Sequence, residues 1–373
     1  MPRDIWSEFS LSSNSLGLVI AVIICLATVA ARRWPALSAL PVVKKPNPRK
    51  SLTFRVDDIP VDHIGDLDRN LQSVAELDAD LRDDAASFER RSLGHKDKAF
   101  VCATIVATTH LSGKELCTRL FRAGKGFRYS YSCDFDGITP LFEDSNGAAV
   151  DIIAVPGLGS HALGSWKSPH SDAVWLRDFL PQDVPNIRVL LYGYDTTLPG
   201  SLSRQSIGDL GGILLERVVA FRAGDGVWEK REINANIQQT TRRPLIFIGH
   251  SLGGLLIKEA LIRARRRRDD AIADLAEACY ALLFFGVPNL GLRNDQLRTL
   301  VRGQPNEALI HDLLVDNDSE ASTFLKRLAG QFSESCKGHY RVMSFFERML
   351  SRTLEVSRTI RNPMACAELW STA

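Results

Sequence analysis

The chain has 373 residues, of which 45% are hydrophobic and 24% are charged, a balance that excludes a disordered or fibrous protein. Its 46 basic and 44 acidic residues leave a net charge of +2, which argues against a nucleic-acid-binding protein. The 7 cysteines contain no C-x-x-C pair, so a zinc site and a dense disulfide framework are poorly supported and a reducing compartment is favoured. We expect neither a metal ion nor a cofactor.

Residues 11–31 form the one long uncharged segment of the chain. As a helix, these residues would span roughly 31 Å, close to the hydrocarbon thickness of a bilayer. Basic residues follow the segment, beginning with Arg32 and Arg33, and the positive-inside rule then places the rest of the chain on the cytosolic side. Residues 1–50 are therefore predicted to form a membrane anchor and a basic, proline-rich linker. A cleaved targeting segment is the alternative.

Residues 51–130 predict a small α+β unit. The segments 51–56 (SLTFRV) and 99–107 (AFVCATIVA) are typical of strands. Between them, apolar residues recur at helical spacing at Leu67, Leu71 and Val74. This unit contains no catalytic constellation, so we interpret it as a structural or docking module.

From about residue 148 onward, predicted strands and helices alternate. The strands are predicted at 150–155, 187–192, 245–248, 280–285 and 341–346, and the helices at 173–180, 207–221, 253–268, 306–315 and 321–332. Buried strands that alternate with helices predict an α/β fold with a mostly parallel sheet covered by helices, here over residues 148–373.

The segment PLIFIGHSLGGLLIKEAL places G-x-S-x-G, with Ser251 at its centre, between a predicted strand and a predicted helix. A serine on such a sharp turn projects its hydroxyl above the edge of the sheet, and the helix that follows directs its N–H groups at a reacting carbonyl. This context predicts that Ser251 is the nucleophile of an acyl-transfer reaction. The alternative is a glycine-rich turn without chemistry.

An acyl-transfer site also needs N–H donors for the developing oxyanion. We expect one donor to be the N–H of Leu252, the residue after the nucleophile. The glycine-rich segment VPGLGSH follows the first strand of the region, so the N–H groups of Gly157 and Leu158 are the candidates for the second donor. A simple turn is the alternative interpretation of this segment.

Several blocks of the region are similar to one known family: DIIAVPGLGSH, SWK, WLRDFLP, YGYDT, RPLIFIGHSLGGLLIKEAL and FFGVPNLG. Together they resemble the serine active site-containing protein family of lipase-like α/β-hydrolases, and within it the fungal members, over roughly residues 148–347. The preceding block LTFRVDDIP resembles the region before the hydrolase in such fungal chains. The chain departs from many relatives at Val287, Pro288 and Asn289, where those relatives have T-P-H.

The resemblance implies an α/β-hydrolase fold, a lipid or other carboxylic ester as substrate, and a Ser–acid–His triad. It further implies phospholipid remodelling at contacts between mitochondria and the endoplasmic reticulum, and hence a membrane of one of these two organelles. Protein partners are not predicted.

The rest of the triad should follow in the order acid, then histidine. Glu347 lies at the end of a predicted late strand and is the candidate acid, with Asp295 as the second choice and a solvated surface glutamate as the alternative role for Glu347. No histidine follows Glu347. We therefore expect an incomplete triad, either through an altered C-terminal region or in a hydrolase-like protein that binds lipid or protein at a membrane. The alternative is a histidine used out of order, from among His161, His170, His311 and His339.

Overall fold

The structure, a computed structural model, describes residues 49–84, 87–97, 99–168, 171–225, 242–268, 271–315 and 320–346. The predicted membrane segment at residues 11–31, the candidate acid Glu347 and His170 lie outside these ranges. Within them, no helix is both long and apolar enough to cross a membrane.

The first part of the described chain forms a four-stranded antiparallel sheet in the order β2-β3-β1-β4. Its strands are β1 (Lys50–Pro60), β2 (Ser87–His95), β3 (Phe100–Thr109) and β4 (Ser130–Ser132), and its helices are α1 (Leu67–Leu77), α2 (Ala79–Asp83) and α3 (Gly113–Ala123). The helices cover one face of the sheet because their apolar residues, among them Leu71 and Leu120, join a core with Phe54 and Val56. The predicted α+β character of this region is therefore observed.

A second sheet has six strands in the order β10-β9-β8-β6-β7-β5. They are β5 (Gly137–Glu143), β6 (Val150–Val155), β7 (Ile187–Gly193), β8 (Leu245–His250), β9 (Cys279–Phe285) and β10 (Arg341–Phe345). Five of them pair in parallel, and β5 pairs with β7 in the antiparallel sense. The sheet is therefore mixed and mostly parallel. It begins with β5, before residue 148, where the sequence placed the start of the hydrolase domain.

Helices pack around the six-stranded sheet. They are α4 (Trp175–Asp178), α5 (Leu180–Asp183), α6 (Ile207–Asp225), α7 (Leu252–Arg265), α8 (Ala271–Ala278), α9 (Asp295–Leu300), α10 (Glu307–Leu313) and α11 (Thr323–Cys336). Two clusters of buried apolar side chains, one built around α6 and α7 and the other around Trp166 and Val174, lie against the strands. Every residue of β7 is buried, as expected for a strand covered on both faces.

One predicted helix needs correction, and several elements were not predicted. The single helix predicted at 173–180 is two short helices, and Pro181 lies in the first turn of the second helix instead of ending the first. Proline is tolerated there because the first turn of a helix needs no N–H donor within the helix. The sequence also failed to predict β2, α3, β4, β5, α8 and α9.

A buried charge cluster joins the amino ends of the central strands. The carboxylate of Asp151 on β6 accepts hydrogen bonds from Arg188 on β7 (2.9 and 3.0 Å), Arg222 on α6 (2.5 Å) and Arg243 before β8 (3.0 Å). Burial opposes ionisation of Asp151, but the three guanidinium groups outweigh burial and hold the pKa of the carboxyl below its ordinary value. The cluster therefore connects the strands to one another at their amino ends, whereas Ser251 lies at the carboxyl ends.

We predict that Asp151→Asn lowers the free energy of unfolding by about 3–5 kcal/mol, because it removes the charge of the carboxylate that three buried arginines share. Since the pKa of Asp151 is lowered in the folded state, this stabilisation is present above the ordinary pKa of an aspartate and is lost as pH falls through the folded-state pKa. Urea unfolding should therefore show a constant difference between pH 5 and 8 that shrinks in acid. The control Asp83→Asn removes only an exposed 4.0 Å pair and should change stability by less than about 1 kcal/mol. Equal effects of the two variants would contradict this prediction.

Candidate active site

Ser251 lies at the junction of β8 and α7, as the sequence predicts. Its backbone has φ 49° and ψ −123°, a left-handed conformation that is rare for a residue with a side chain. The Ser251 N–H donates to the carbonyl oxygen of Phe285 at the end of β9 (2.9 Å), and the Ser251 carbonyl accepts from Gly254 (3.1 Å). These bonds help to hold the strained turn that a nucleophile elbow requires.

Two glycines make this turn possible, because each stands where a side chain would meet a neighbouring element. A Cβ on Gly253 would lie 2.3 Å from the carbonyl oxygen of Val155 and 2.5 Å from that of Pro156. A Cβ on Gly249 would lie 2.7 Å from the Cα of Gly254. Helix α7 therefore begins in direct contact with the carboxyl end of β6.

The residues predicted to bind the oxyanion are placed at the same point. A Cβ on Gly157 would lie 3.0 Å from the Cβ of Ser251, so this loop backbone is packed against the candidate nucleophile. Leu252 is the first residue of α7, where N–H groups have no acceptor within the helix. In the described residues, the N–H groups of Gly157 and Leu158 donate no hydrogen bond. The arrangement thus brings together a hydroxyl and backbone donors suited to an acyl-transfer reaction.

The oxyanion loop, residues 156–161, is held by side chains that the sequence analysis did not single out. Tyr194 donates its hydroxyl to the carbonyl of Pro156 (3.0 Å), and Thr196 donates to the carbonyl of Ser160 (2.7 Å). The hydroxyl of Ser160 in turn donates to the carbonyl of Gly157 (3.0 Å). Burial raises the pKa of Tyr194, so its phenol stays a donor. The motif YGYDT was the available signal, since it supplies both Tyr194 and Thr196.

His161 is occupied at both ring nitrogens. Its Nε2 donates to the carbonyl oxygen of Cys133 (2.6 Å), and its Nδ1 accepts from the N–H of Gly164 (3.2 Å). Its ring also lies edge-on to that of Phe135. His161 therefore fastens the oxyanion loop to the segment before β5, and this role leaves neither nitrogen for Ser251.

His250 is next to Ser251 in the chain but faces the loop. Its Nδ1 would lie 2.9 Å from a Cβ on Gly157, and its ring is 6.4 Å from that of Trp166 in an edge-on arrangement. In the described part of the chain, no histidine ring forms a hydrogen bond with the Ser251 hydroxyl. This observation covers the described histidines alone, and the incomplete triad stays a prediction.

The other candidate bases and acids within the described ranges are His339, His311 and Asp295. His339 is bonded to Arg265 (3.0 Å) at the far end of α7, and His311 lies on α10 beside a cavity lined also by Arg204. Asp295 begins α9, and within the described ranges no hydrogen bond joins it to Ser251. Glu347, the candidate acid, lies outside those ranges, as does His170.

In the described ranges, no group of three or more histidine, cysteine, aspartate or glutamate side chains could hold a metal ion. Asn289 is bonded to Lys258 on α7. Burial lowers the pKa of Lys258 to about 8. This lysine lies over the rings of Phe284 and Phe332, each 5.2 Å away, and supports the packing of α7.

Comparison with known proteins supports the resemblance in part. No family model matches the chain. It is 25% identical over 231 residues to protein SERAC1 of Homo sapiens, a match that covers 56% of this chain and 32% of the human protein. It is 26% identical over 229 residues to SERAC1 of Mus musculus, with the same coverage. The chain therefore spans about a third of the length of the curated relatives that it matches. Its fungal character stays a prediction.

Solved serine hydrolases are among the similar structures. The Bacillus licheniformis lipase BlEst2 matches with a TM-score of 0.34 and 15% identity, covering 56% of this chain and 70% of the lipase. Thermogutta terrifontis esterase 2 matches with a TM-score of 0.29 and 14% identity, covering 56% and 77%. At such values, the chemistry must be argued from the residues of this chain.

We predict that Gly253→Ala destabilises the protein by about 3 kcal/mol, because the new Cβ meets two backbone carbonyl oxygens that cannot rotate away. The melting temperature should fall by on the order of 6–10 °C in differential scanning fluorimetry. The matched control is Gly330→Ala, also inside a helix, where a Cβ would meet nothing within 4 Å. This control should be neutral or stabilising by up to about 1 kcal/mol. A Gly253→Ala protein as stable as the parent would show that α7 does not approach β6 so closely.

Proposed function

We propose that this protein is a membrane-anchored serine hydrolase that cleaves lipid or other carboxylic esters, with Ser251 as its nucleophile. The observation that carries this proposal is the packing of Gly157 against Ser251 on a strained turn at the start of α7. A glycine-rich turn without chemistry has no need of a left-handed serine with a second backbone segment in contact with its side chain.

The reaction would proceed in two steps at this point. The Ser251 oxygen attacks the ester carbonyl carbon and loses its proton to a general base, and the carbonyl oxygen becomes an oxyanion. The N–H of Leu252 and those of Gly157 and Leu158 would bind that oxyanion. The alcohol then leaves with a proton, and water releases the acid from Ser251.

The general base and the acid that orients it are the open components of the proposal. Glu347 is the proposed acid. Among the eight histidines, His161 and His339 have ring partners other than Ser251, and His170 is the one that lies outside the described residues. His170 follows the oxyanion loop in sequence, so it is the first histidine to test as an out-of-order base.

A second candidate function is a hydrolase fold that binds lipid or protein at a membrane without turnover. One observation favours it: none of the described histidines is hydrogen-bonded to the Ser251 hydroxyl. Without a base, a serine hydroxyl is a poor nucleophile at neutral pH.

The two functions can be separated by labelling the full-length protein with a fluorophosphonate probe. If the protein is a hydrolase, we expect labelling that is lost in Ser251→Ala and kept in Ser73→Ala, an exposed serine of α1. Hydrolysis of a short-chain nitrophenyl ester should fall with the labelling. Gly157→Ala should lower both by at least about tenfold, because the new Cβ displaces the oxyanion loop from Ser251.

Folded protein that is neither labelled nor active above its Ser251→Ala variant would overturn the hydrolase proposal and support the binding function. If labelling is observed, His170→Ala and His250→Ala identify the base, since only the variant that lacks the base should lose it.

Membrane anchoring by residues 11–31 and a cytosolic hydrolase domain on an endoplasmic reticulum or mitochondrial membrane are parts of the same proposal. They rest on the uncharged segment and the basic residues after it. Such a location favours phospholipid esters as the substrates and phospholipid remodelling as the process.

We predict that a fusion carrying residues 1–50 resists carbonate extraction from membranes. The matched control carries Ile20→Asp and Ile24→Asp in the same fusion. Each carboxylate at the centre of the span costs roughly 2.5–3.5 kcal/mol, so the control should become extractable. Extraction of the unaltered fusion would contradict the anchor.

A further inference from the structure

Two cysteines of the small α+β unit, Cys117 and Cys133, line one cavity, and the main chain of Cys133 is bonded to the oxyanion loop. Cys117 lies on α3, one turn after Gly113 and on the same face of that helix. Cys133 follows β4 and packs on that face, because a Cβ on Gly113 would lie 3.2 Å from the Cβ of Cys133 and 3.3 Å from its Sγ. Neither cysteine forms a disulfide in this structure, and both lie beside the same face of α3.

The surroundings of the pair give the two thiols different roles. Both line a cavity of about 290 Å³, with Lys114, Phe121 and Asp134 also in its wall. Cys117 is buried, whereas Cys133 is partly exposed. Interaction with the Cys117 thiol lowers the pKa of Cys133, with help from Lys114 and against burial and Asp134. The same interaction raises the pKa of Cys117. Cys133 is therefore the thiol that reacts first.

The other described cysteines differ from Cys117 and Cys133 in their surroundings. Cys102, Cys279 and Cys336 are all buried, and burial raises the pKa of each. A buried thiol with a raised pKa does not start an exchange, although it can resolve a mixed disulfide on a neighbouring sulfur. Only at Cys117 and Cys133, within the described ranges, does one thiol stabilise the thiolate of another in a cavity open to a small molecule.

We propose that Cys117 and Cys133 are a redox-active dithiol, which a small-molecule disulfide such as glutathione disulfide converts into an intramolecular disulfide. The Cys133 thiolate attacks one sulfur of glutathione disulfide, the glutathione S–S bond breaks, and one glutathione thiolate leaves. Cys117 then gives its proton to solvent and attacks the Cys133 sulfur, which releases the second glutathione thiolate. Two protein thiols are oxidised, and one glutathione disulfide is reduced to two thiols.

The disulfide between Cys117 and Cys133 would affect the candidate active site through the hydrogen bond between Cys133 and His161. The main-chain carbonyl of Cys133 accepts from His161 Nε2 (2.6 Å), and His161 belongs to the loop that carries Gly157. Phe135, two residues after Cys133, packs edge-on against the same imidazole. Fixing Cys133 to α3 therefore restrains the segment on which the oxyanion loop rests.

The first test is a thiol titration of the full-length protein in mixtures of reduced and oxidised glutathione, followed by alkylation and tryptic mapping. We expect the peptides 115–119 and 129–167 to become linked as oxidised glutathione increases, and to separate again with excess reduced glutathione. Cys102 and Cys279 should stay thiols throughout. Full alkylation of Cys117 and Cys133 at every ratio would overturn the proposal, as would their linkage to Cys25 or Cys366 instead of to each other.

Single variants test the order of attack. In Cys117→Ser, Cys133 should accumulate the mixed disulfide with glutathione, because no second thiol resolves it. In Cys133→Ser, Cys117 should react at least about tenfold more slowly. Cys117→Ala replaces the serine variant if the hydroxyl impairs folding. Equal reactivity of the two cysteines would contradict the assigned roles.

Coupling to the loop is measured by hydrogen exchange, which does not depend on whether Ser251 is active. Amides of residues 157–166 should exchange at least about threefold more slowly in the oxidised protein. The Cys133→Ser protein should show the same exchange in both redox mixtures. Unchanged exchange in a fully oxidised protein would show that the disulfide does not reach the oxyanion loop.

Discussion

The close approach of α7 to the end of β6 is the constraint on which the candidate site depends. At Gly253 there is no room for a single carbon beyond the backbone, since the carbonyl oxygens of Val155 and Pro156 occupy that space. This contact forces the chain to turn sharply at Ser251, and the turn requires the left-handed backbone observed there. It also brings the residues after β6 beside the nucleophile. The contact between α7 and β6 therefore positions both the hydroxyl and the loop that would bind the oxyanion.

The two ends of the strands in the six-stranded sheet have different roles. At the amino ends of the strands, Asp151 is enclosed by three arginines from three different elements, and this buried network specifies how β6, β7 and α6 meet. At the carboxyl ends, the backbone is strained and rich in glycine. A strained turn persists only where the surrounding structure determines it strongly, and the charge cluster supplies part of that rigidity from the opposite edge.

Local sequence signals predicted the centre of the fold and missed its periphery. The four central strands β6, β7, β8 and β9 were predicted within a residue or two, as was the elbow, because burial on both faces leaves a strong pattern. The edge strand β10 was predicted equally well, although all of its residues are exposed. In contrast, β2 carries two adjacent arginines on an exposed edge, and β5 contains Pro140, which is tolerated on an edge strand. Gly157 could be placed by its position after a strand. The motif YGYDT marked the segment of Tyr194, but the contacts of Tyr194 and His161 with this loop and with Cys133 could not be predicted, since they depend on how distant segments meet.

The supports of the oxyanion loop change the interpretation of the small α+β unit. The sequence suggested a structural or docking module without a part in chemistry. In the structure, Arg55 of β1 donates to Thr139 of β5 (2.8 Å), and Ser92 of β2 donates to the carbonyl of Pro140 (3.0 Å). The segment between the two sheets also carries the carbonyl that binds His161. A displacement of the antiparallel sheet would therefore move β5 and the base of the oxyanion loop together. The geometry around Ser251 is consequently a property of both sheets, and the motif around the serine specifies only half of it.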